Sequence, residues 1–555
     1  MQKFNGKNPS KNGNRNNGKG NKKGGKPKNY VPKDKSLEGE INPDSVGKYS
    51  RPAPKTEGFN DVSWYAKNPV MLADSASYSY NNPLGSLFDW STILQGGTNT
   101  TWDWRTAGFE SIPGVMALEL VPTIGVSKDA SSPANLAAQN IYSFVRYHNS
   151  GSKNYDQADL MLYLLAMDSI YSYWNFCKRI YGIMAMYSQL NWYMPKFLIR
   201  ACGVNFDDIN KNLANFREWL NTTAAKITSF CVPASMSYFV RHSWLYSNVY
   251  KDSDNLKAQM YIFTPSLFYK YDETGSKFGG RLVPVTMDPS YKERTFDELR
   301  SIMDQMLDAV CYSEDVGVMS GDILKAYGDG SLFKLEPVSA DYLVAPVYNE
   351  EVLNQIHNAT IVESYRYMQD TDHLQITQDP DTGFLKFNPL IPNIQRMGVK
   401  GTILNMPWDV VTPANTMVGS RLAVCYQAGG ATAYFTALGT EWVNRASILY
   451  RKPNNLNNMD WGRVAFDNNI LYDDISSQQA NASSSMRIAA LSNFDWHPLF
   501  YLANHSDLET APINFYFSGV LGDMCNYTIL SENDLMRMHL TAVMSEFNIP
   551  QLGSF

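Results

Sequence analysis

Apolar residues recur at helical spacing in several segments of the chain. The stretch 156–182 is apolar on nearly every side, which is typical of a helix that is buried all round, inside a large domain or between subunits. Ser132 followed by Pro133 has the form of a helix start. Thr295 and Glu298 have the spacing of a capping box, and apolar residues follow them at helical intervals. The predicted helices begin near Ser132, Asp156, Asp207, Thr295 and Ser531.

Alternating β-forming residues predict hairpins in the middle of the chain. One pair of strands is predicted at 261–285, around the turn residues Asp-Glu-Thr-Gly-Ser at 272–276. The same pattern recurs at 376–387, around a turn at 379–383. A third pair is predicted at 421–443, around two consecutive glycines.

These elements together predict an α+β protein with more than one domain. A chain of 555 residues is too long for one hydrophobic core, which stops growing at about 250–300 residues. A helix-rich part that returns near the C-terminus would enclose a strand-rich middle part, so one domain would be inserted in the other. The predicted division is a disordered basic arm and linker at 1–60, a largely helical domain at 61–235, an inserted strand-rich domain at 236–475, and the return of the helical domain at 476–555.

The charges are strongly segregated along the chain. Residues 1–36 contain eleven cations and one anion, a net charge of +10, whereas the whole chain has a net charge of −6, so the remainder carries −16. Lys, Arg, Asn and Gly dominate the first part of this segment, and such a composition has little to bury against the entropy of ordering the chain. We therefore expect a disordered basic arm. Its cations are Lys3, Lys7, Lys11, Arg15, Lys19, Lys22, Lys23, Lys26, Lys28, Lys33 and Lys35.

A basic arm of low complexity on a non-basic body is typical of a segment that binds polyanions. The arm contains only two aromatic residues, Phe4 and Tyr30, so base stacking would contribute little. Binding to nucleic acid would therefore depend on charge and show no sequence preference. Two alternatives stay open: a solvated tail that keeps the protein in solution, and a membrane-surface or localisation signal.

The sequence contains no recognisable catalytic, cofactor-binding or metal-binding motif of the common kinds. Six cysteines, none in a CxxC pair, favour reduced buried thiols over a zinc site or a disulfide framework. His497 lies among aromatic residues and is expected to be a packed imidazole. Asp207 and Asp208 are expected at a helix N-terminus, where anions are favoured, rather than on a metal. We assign no catalytic, cofactor or metal residue.

The remaining composition favours a protein that assembles with itself. Tyr, Phe, Met and Trp number 34, 26, 24 and 12, and such residues are enriched in the centres of interfaces as well as in cores. No apolar stretch approaches the length of a membrane-spanning helix, and the N-terminal cations are not followed by the apolar segment of a signal peptide. We expect a soluble protein made inside a cell and, with the basic arm, a self-assembling container for nucleic acid.

Several segments resemble the capsid proteins of picobirnaviruses. They cover about a quarter of the chain, mainly its predicted helical part, and their specificity depends on their joint occurrence in order. The matching segments are 158–171 (ADLMLYLLAMDSIY), 179–183 (RIYGI), 187–195 (YSQLNWYMP), 203–209 (GVNFDDI), 320–327 (SGDILKAY) and 354–358 (NQIHN).

The resemblance implies a subunit of a non-enveloped icosahedral shell that is built from symmetric dimers and encloses double-stranded RNA. It implies a largely helical shell domain and a strand-containing protruding domain, with the N-terminal segment contacting RNA. It also implies a location in the virion after assembly in the host cytoplasm. Two other hypotheses stay open: another viral coat protein or nucleoprotein, and an enzyme whose site carries no recognisable motif.

Overall fold

The computed structural model describes residues 62–80, 82–86, 111–151, 154–186, 192–273, 279–287, 292–363, 371–393, 398–453, 459–473, 486–506 and 514–549. The chain divides after Tyr80 into two compact units. In the first unit, the described residues form a 3-10 turn at Val62–Trp64 and the helix α1 at Pro69–Ser75. The predicted arm and linker at 1–60, with all eleven cations, lie outside the described residues.

The described residues of the second unit form both helices and strands. Its α-helices with described ends are α2 (Pro133–His148), α3 (Gln157–Met184), α4 (Met194–Ala201), α5 (Phe206–Lys211), α6 (Leu213–Ile227), α7 (Ser237–Ser247), α8 (Phe296–Cys311), α9 (Glu314–Tyr327), α10 (Glu350–His357), α11 (Pro413–Gly419) and α12 (Glu532–Glu546). Its strands are β1 (Val115–Pro122), β2 (Tyr250–Lys251), β3 (Met260–Pro265), β4 (Leu267–Asp272), β5 (Arg281–Thr286), β6 (Thr377–Gln378), β7 (Leu385–Lys386), β8 (Leu390–Pro392), β9 (Gly401–Met406), β10 (Cys425–Gly429), β11 (Thr432–Ala437), β12 (Glu441–Pro453), β13 (Met459–Phe466), β14 (Ile470–Asp473), β15 (Phe500–Ser506), β16 (Asn514–Leu521) and β17 (Asn526–Ser531). The prediction of an α+β protein is confirmed.

Helix α3 lies at the centre of the core. It starts with a capping box, in which the carboxylate of Asp156 accepts hydrogen bonds from the backbone N–H groups of Ala158 and Asp159. Helices α2, α6, α7 and α8 and strand β4 pack around it, so nearly every residue from Ala158 to Ile183 is buried. Its apolar sequence allowed a place inside a large domain or between subunits. The structure shows that it lies in the interior of the subunit. The apolar surface of this helix is therefore no argument for a contact between subunits.

One five-stranded sheet joins distant parts of the chain, in the order β13-β12-β1-β3-β2. Strand β1 lies in the middle, antiparallel to β12 with Val115 opposite Leu449, and parallel to β3 with Val115 opposite Met260. All eight residues of β1 are buried. Strand β1 was not predicted, because a short, continuously apolar run does not distinguish a buried strand from a buried helix.

The three predicted hairpins are present. Strands β4 and β5 pair with Leu267 opposite Thr286, although the tip of that hairpin extends into 274–278, outside the described residues. Strands β6 and β7 enclose the predicted turn at 379–383, and β10 and β11 meet at Gly430, whose φ of 72° favours glycine. These elements were predictable because turn residues and alternation are local signals.

Two expectations differ from the structure. The helix predicted from Asp207 is two helices, α5 and α6, because Asn212 closes the first one with bonds from its backbone and side-chain N–H groups to the carbonyl oxygen of Asp208. Residues 476–555 were expected to return to helix, and the described part contains β15, β16 and β17 besides α12 and the helical residues 486–491. The middle part, 236–475, also contains α7 to α11 among its strands. The division into a shell domain and an inserted protruding domain stays a prediction.

Candidate functional site

The residues singled out from the sequence have structural roles where the structure describes them. His497 is buried, and its Nδ1 lies 2.6 Å from the carbonyl oxygen of Pro498, so the prediction of a packed imidazole is confirmed. Asp207 and Asp208 lie in the first turn of α5, as predicted, but the capping residue is Asn205. Asp208 also accepts a hydrogen bond of 2.7 Å from the backbone N–H of Phe296, the first residue of α8. The eleven arm cations cannot be placed, since they lie outside the described residues.

The described residues hold no group of three or more His, Cys, Asp or Glu side chains that could bind a metal ion. A cavity of about 310 Å³ lies beside β9, β15 and β16, with Ile403, Tyr501 and Phe517 in its wall. Among the described residues that line the cavity, Lys400 is the one with a charged side chain, and Tyr426 and Tyr501 also line it. Among the helices of the described ranges, none has the length and apolar character needed to cross a membrane.

A largely buried group of six ionisable side chains joins five parts of the second unit. We call it the charge cluster. It consists of Asp168 on α3, Arg241 and His242 on α7, Arg421 between α11 and β10, Glu441 on β12, and Glu546 on α12. No sequence motif predicts the charge cluster, because its members are far apart along the chain.

His242 lies between two carboxylates of the charge cluster. Its Nδ1 is 2.7 Å from Oδ2 of Asp168, and its Nε2 is 3.4 Å from Oε1 of Glu441. All three side chains are fully buried. Burial alone would lower the pKa of His242, but the two carboxylates outweigh it and raise this pKa to about 10. The imidazole is therefore a cation at neutral pH, and both of its nitrogens face carboxylates, which leaves neither free to act as a base.

Glu441 is held by both arginines. Arg241 Nε donates to Oε1 of Glu441, and Arg421 Nη2 lies 3.4 Å from Oε2. The hydroxyl of Thr440 donates to the same Oε2 at 2.9 Å. Burial alone would raise the pKa of Glu441, but Arg241 and Arg421 hold it well below its ordinary value. Glu441 is therefore ionised.

Glu546 brings the last turn of α12 into the charge cluster. Its Oε1 lies 2.8 Å from Nη2 of Arg421 and 3.9 Å from Nε of Arg241. Burial raises the pKa of Asp168, and His242 opposes that rise. When His242 is protonated and Asp168, Glu441 and Glu546 are ionised, three carboxylates face two guanidinium groups and one imidazolium, so the charges balance. Such a cluster adds little to the free energy of unfolding compared with apolar packing of the same volume. The loss of one member, however, leaves a buried charge without a partner, at a cost of about 3–5 kcal/mol. The geometry thus supports a structural junction.

Exposed strand edges form the second feature with functional meaning. In the part of the chain that the structure describes, β17 pairs only with β9, and it exposes 58% of Tyr527 and 72% of Ile529. The preceding strand, β16, is an outer strand of the sheet β14-β15-β16 and exposes Tyr516 and Phe517. Unpaired edges with apolar side chains can pair with another chain, which proteins that remain monomeric normally prevent. These edges are candidate assembly surfaces.

Three comparisons connect this fold with known proteins. The family model described as picobirnavirus capsid protein matches residues 64–508. A curated relative, the capsid protein precursor of Human picobirnavirus (strain Human/Thailand/Hy005102/-), is 32% identical over 520 residues, which covers 89% of this chain and 92% of the relative. A solved structure, the X-ray crystallographic structure of the picobirnavirus capsid, superimposes with a TM-score of 0.75.

The structural match covers 89% of this chain and 100% of the solved chain at 22% identity, and at that identity it shows the fold alone. The extent of the family match and the identity to the curated relative show the family. The segments that suggested this family from the sequence overlap α3, α4, α5, α9 and α10, which include the centre of the core, except that 187–191 lie outside the described residues. The chain therefore belongs to the picobirnavirus capsid protein family, and its role is that of a structural subunit of the virion.

Proposed function

We propose that the chain assembles as homodimers into a non-enveloped icosahedral shell that encloses viral double-stranded RNA. Its membership of the capsid family supports the shell, and the exposed strand edges support contacts between copies. Assembly would take place in the host cytoplasm. Electron microscopy of the purified protein in negative stain should show closed shells, whereas irregular ribonucleoprotein would favour a nucleoprotein and small oligomers alone would contradict the proposal.

The basic arm is the proposed contact with RNA. The single observation that carries this part is the segregation of charge: +10 on residues 1–36 against −16 on the rest of the chain. A body with that charge repels polyanions, so attraction to phosphates has to come from the arm. If each arm makes about 6–10 phosphate contacts, its affinity for RNA should fall about 10³–10⁵-fold between about 50 and 200 mM salt, because each contact releases condensed counterions.

Deletion of residues 2–36 tests the role of the arm. Particles should still form, because an arm of this composition has almost no apolar side chains with which to join a core. The RNA that copurifies with the particles should fall sharply, which the ratio of absorbance at 260 and 280 nm reports. A matched control keeps the length of the arm and replaces its eleven cations by Gln, and it should lose RNA to the same extent. Equal RNA content in the truncated particles would mean that the inner surface of the shell holds the genome.

The proposed homodimer has a separate test. The contact should be of the size found in obligate dimers, above about 2,000 Å². Sedimentation at micromolar concentration should therefore give dimers as the smallest stable species. A single monomeric species at that concentration would contradict the homodimer.

A further inference from the structure

We propose that β17 pairs with β17 of a second copy across the two-fold axis of the dimer, so that one antiparallel sheet, β9-β17-β17-β9, crosses the contact. The inference rests on the proposed homodimer and names the strand that forms it. It also predicts which residues lie opposite each other.

The edge of β17 has the features of a strand that pairs with another chain. Within the described residues its one neighbour in the sheet is β9, with Asn526 opposite Met406 and Ser531 opposite Gly401. Its sequence, Asn-Tyr-Thr-Ile-Leu-Ser, contains no Lys, no Pro and no charge of either sign. Charges and prolines are the usual means by which an exposed edge is blocked. This strand has none of them.

The two faces of β17 differ. Leu530 packs against the small apolar cluster of Ala423, Cys425, Ala437 and Leu535, so its face is the inner one. Since side chains alternate along a strand, Thr528 shares that face, whereas Tyr527 and Ile529 lie on the outer face. Both outer residues are largely exposed. A second copy at this edge would extend the outer face with the same two apolar side chains.

A two-fold axis perpendicular to the sheet makes a strand antiparallel to its own copy. The same rotation leaves the inner faces of both copies on one side of the sheet. Residues that lie directly opposite each other in a sheet share a face. Inner residues must therefore oppose inner residues, so the axis passes beside a residue and not between two. With the axis beside Thr528, Tyr527 lies opposite Ile529 of the partner subunit. The same pair recurs on the other side of the axis.

This register covers both exposed apolar side chains with favourable partners. An aromatic residue opposite a β-branched one is among the stabilising cross-strand pairs. An axis beside Ile529 would place Tyr527 opposite the partner's Ser531, and an axis beside Tyr527 would place Ile529 opposite the partner's Cys525. Neither places Tyr527 opposite Ile529. A strand without charges also places no like charges opposite each other when it meets its own copy. We therefore infer that Thr528 lies next to the axis.

The surroundings of β17 add apolar surface to the same contact. The side-chain amide of Asn526 donates to the carbonyl oxygen of Trp408 at 3.3 Å, which holds the loop after β9 beside the strand. Val410 and Val411 in that loop are exposed. The strand pair would therefore be the centre of a larger contact, as an interface of obligate size requires.

Cysteine cross-linking tests the register. In a chain in which the exposed Cys311 and Cys525 are replaced by Ser, Thr528→Cys should form a disulfide-linked dimer under mild oxidation, because opposed Cα atoms of an antiparallel pair are about 4.5–5.5 Å apart. The matched control is Ile529→Cys, whose two copies would be about 8 Å apart, beyond the reach of a disulfide. Efficient linkage of the Ile529→Cys variant, or none for Thr528→Cys in a chain that sediments as a dimer, would overturn the proposal.

A charge substitution tests whether the edge is needed. Thr528→Lys would place two ammonium groups directly opposite each other and should raise the dimer dissociation constant at least about tenfold. Thr222→Lys, on an exposed position of α6, is the matched control and should leave the dimer unchanged. Both variants should still fold, because both residues are exposed. An unchanged dissociation constant for Thr528→Lys would refute the β17 contact alone, whereas a monomeric unmodified chain would refute the homodimer itself.

Discussion

The imidazole of His242 on α7 lies 2.7 Å from the carboxylate of Asp168 on α3, and both side chains are fully buried. The contact joins the central helix to the charge cluster, through which β12 and α12 are also attached. The charges of the cluster balance only when His242 is protonated. The first two predictions follow from this balance.

Replacement of His242 by Asn should destabilise the subunit strongly. The variant leaves the carboxylates of Asp168 and Glu441 without their shared cation, and the loss of one member of a buried cluster costs about 3–5 kcal/mol. The free energy of unfolding in urea measures the effect. His148→Asn is the control, because His148 is exposed, and it should change that free energy by less than about 0.5 kcal/mol. A loss below about 1 kcal/mol for His242→Asn would mean that the cluster is not neutralised by this residue.

Above neutral pH the subunit should lose stability through the same residue. The pKa of His242 is about 10 in the folded subunit, against about 6.5 in an unfolded chain. Between these two pH values the folded state binds one proton more than the unfolded state. The stabilisation by protonated His242 is therefore complete below pH about 6.5 and is lost as the pH rises through about 10. The free energy of unfolding should fall by up to about 1.4 kcal/mol per pH unit in this window. The His242→Asn variant should lack this slope, and parallel profiles for the two chains would contradict the prediction.

Below neutral pH, protonation of His357 should lower the stability of the subunit. Burial lowers the pKa of His357 to about 4 and outweighs the carbonyl oxygens of His497 and Asp523, which lie 2.9 and 3.0 Å from its two ring nitrogens and would raise it. In an unfolded chain, His357 takes up a proton near pH 6.5. The stabilisation by neutral His357 is therefore complete above that pH and is lost as the pH falls toward 4. The free energy of unfolding, measured from pH 7 to 4, should therefore fall more steeply for the unmodified chain than for His357→Gln. Equal slopes would show that other groups control acid unfolding.

The turn at 379–383 should accept an insertion. Asp381 and Thr382 are exposed, and their backbone N–H groups are held only by the side chain of Asp379, at 2.9 and 3.0 Å. Loop tips with such local contacts tolerate added residues. Gly-Ser-Gly inserted between Asp381 and Thr382 should leave particle yield unchanged in negative-stain images.

The control insertion lies in the middle of α3, after Ser172, and should abolish particles because every neighbouring side chain there is buried. Loss of particles from the turn insertion would show that this hairpin is part of a contact in the shell. It would also argue against the placement of 236–475 as an outward-facing domain.

The helices that the sequence predicted have local signals. A capping box marks the start of α3 and of α8, and Ser132 with Pro133 marks the start of α2. The hairpins β4–β5, β6–β7 and β10–β11 were predictable for the same reason, since turn residues separate two short alternating segments. The strand β1 was missed because it has no such boundary signals, and its partners β3 and β12 come much later in the chain.

The sequence by itself determined the segregation of charge, the starts of the main helices, the hairpins and the resemblance to a capsid family. Each of these depends on residues that are close together in the chain, where spacing and composition act directly. Only the tertiary structure decided that α3 is covered within its own subunit, that Asp168, His242 and Glu441 share one buried site, and that β17 has β9 as its one neighbour among the described strands. Burial, ion pairing and strand pairing depend on which distant segments meet, and no pattern within one segment specifies its partner.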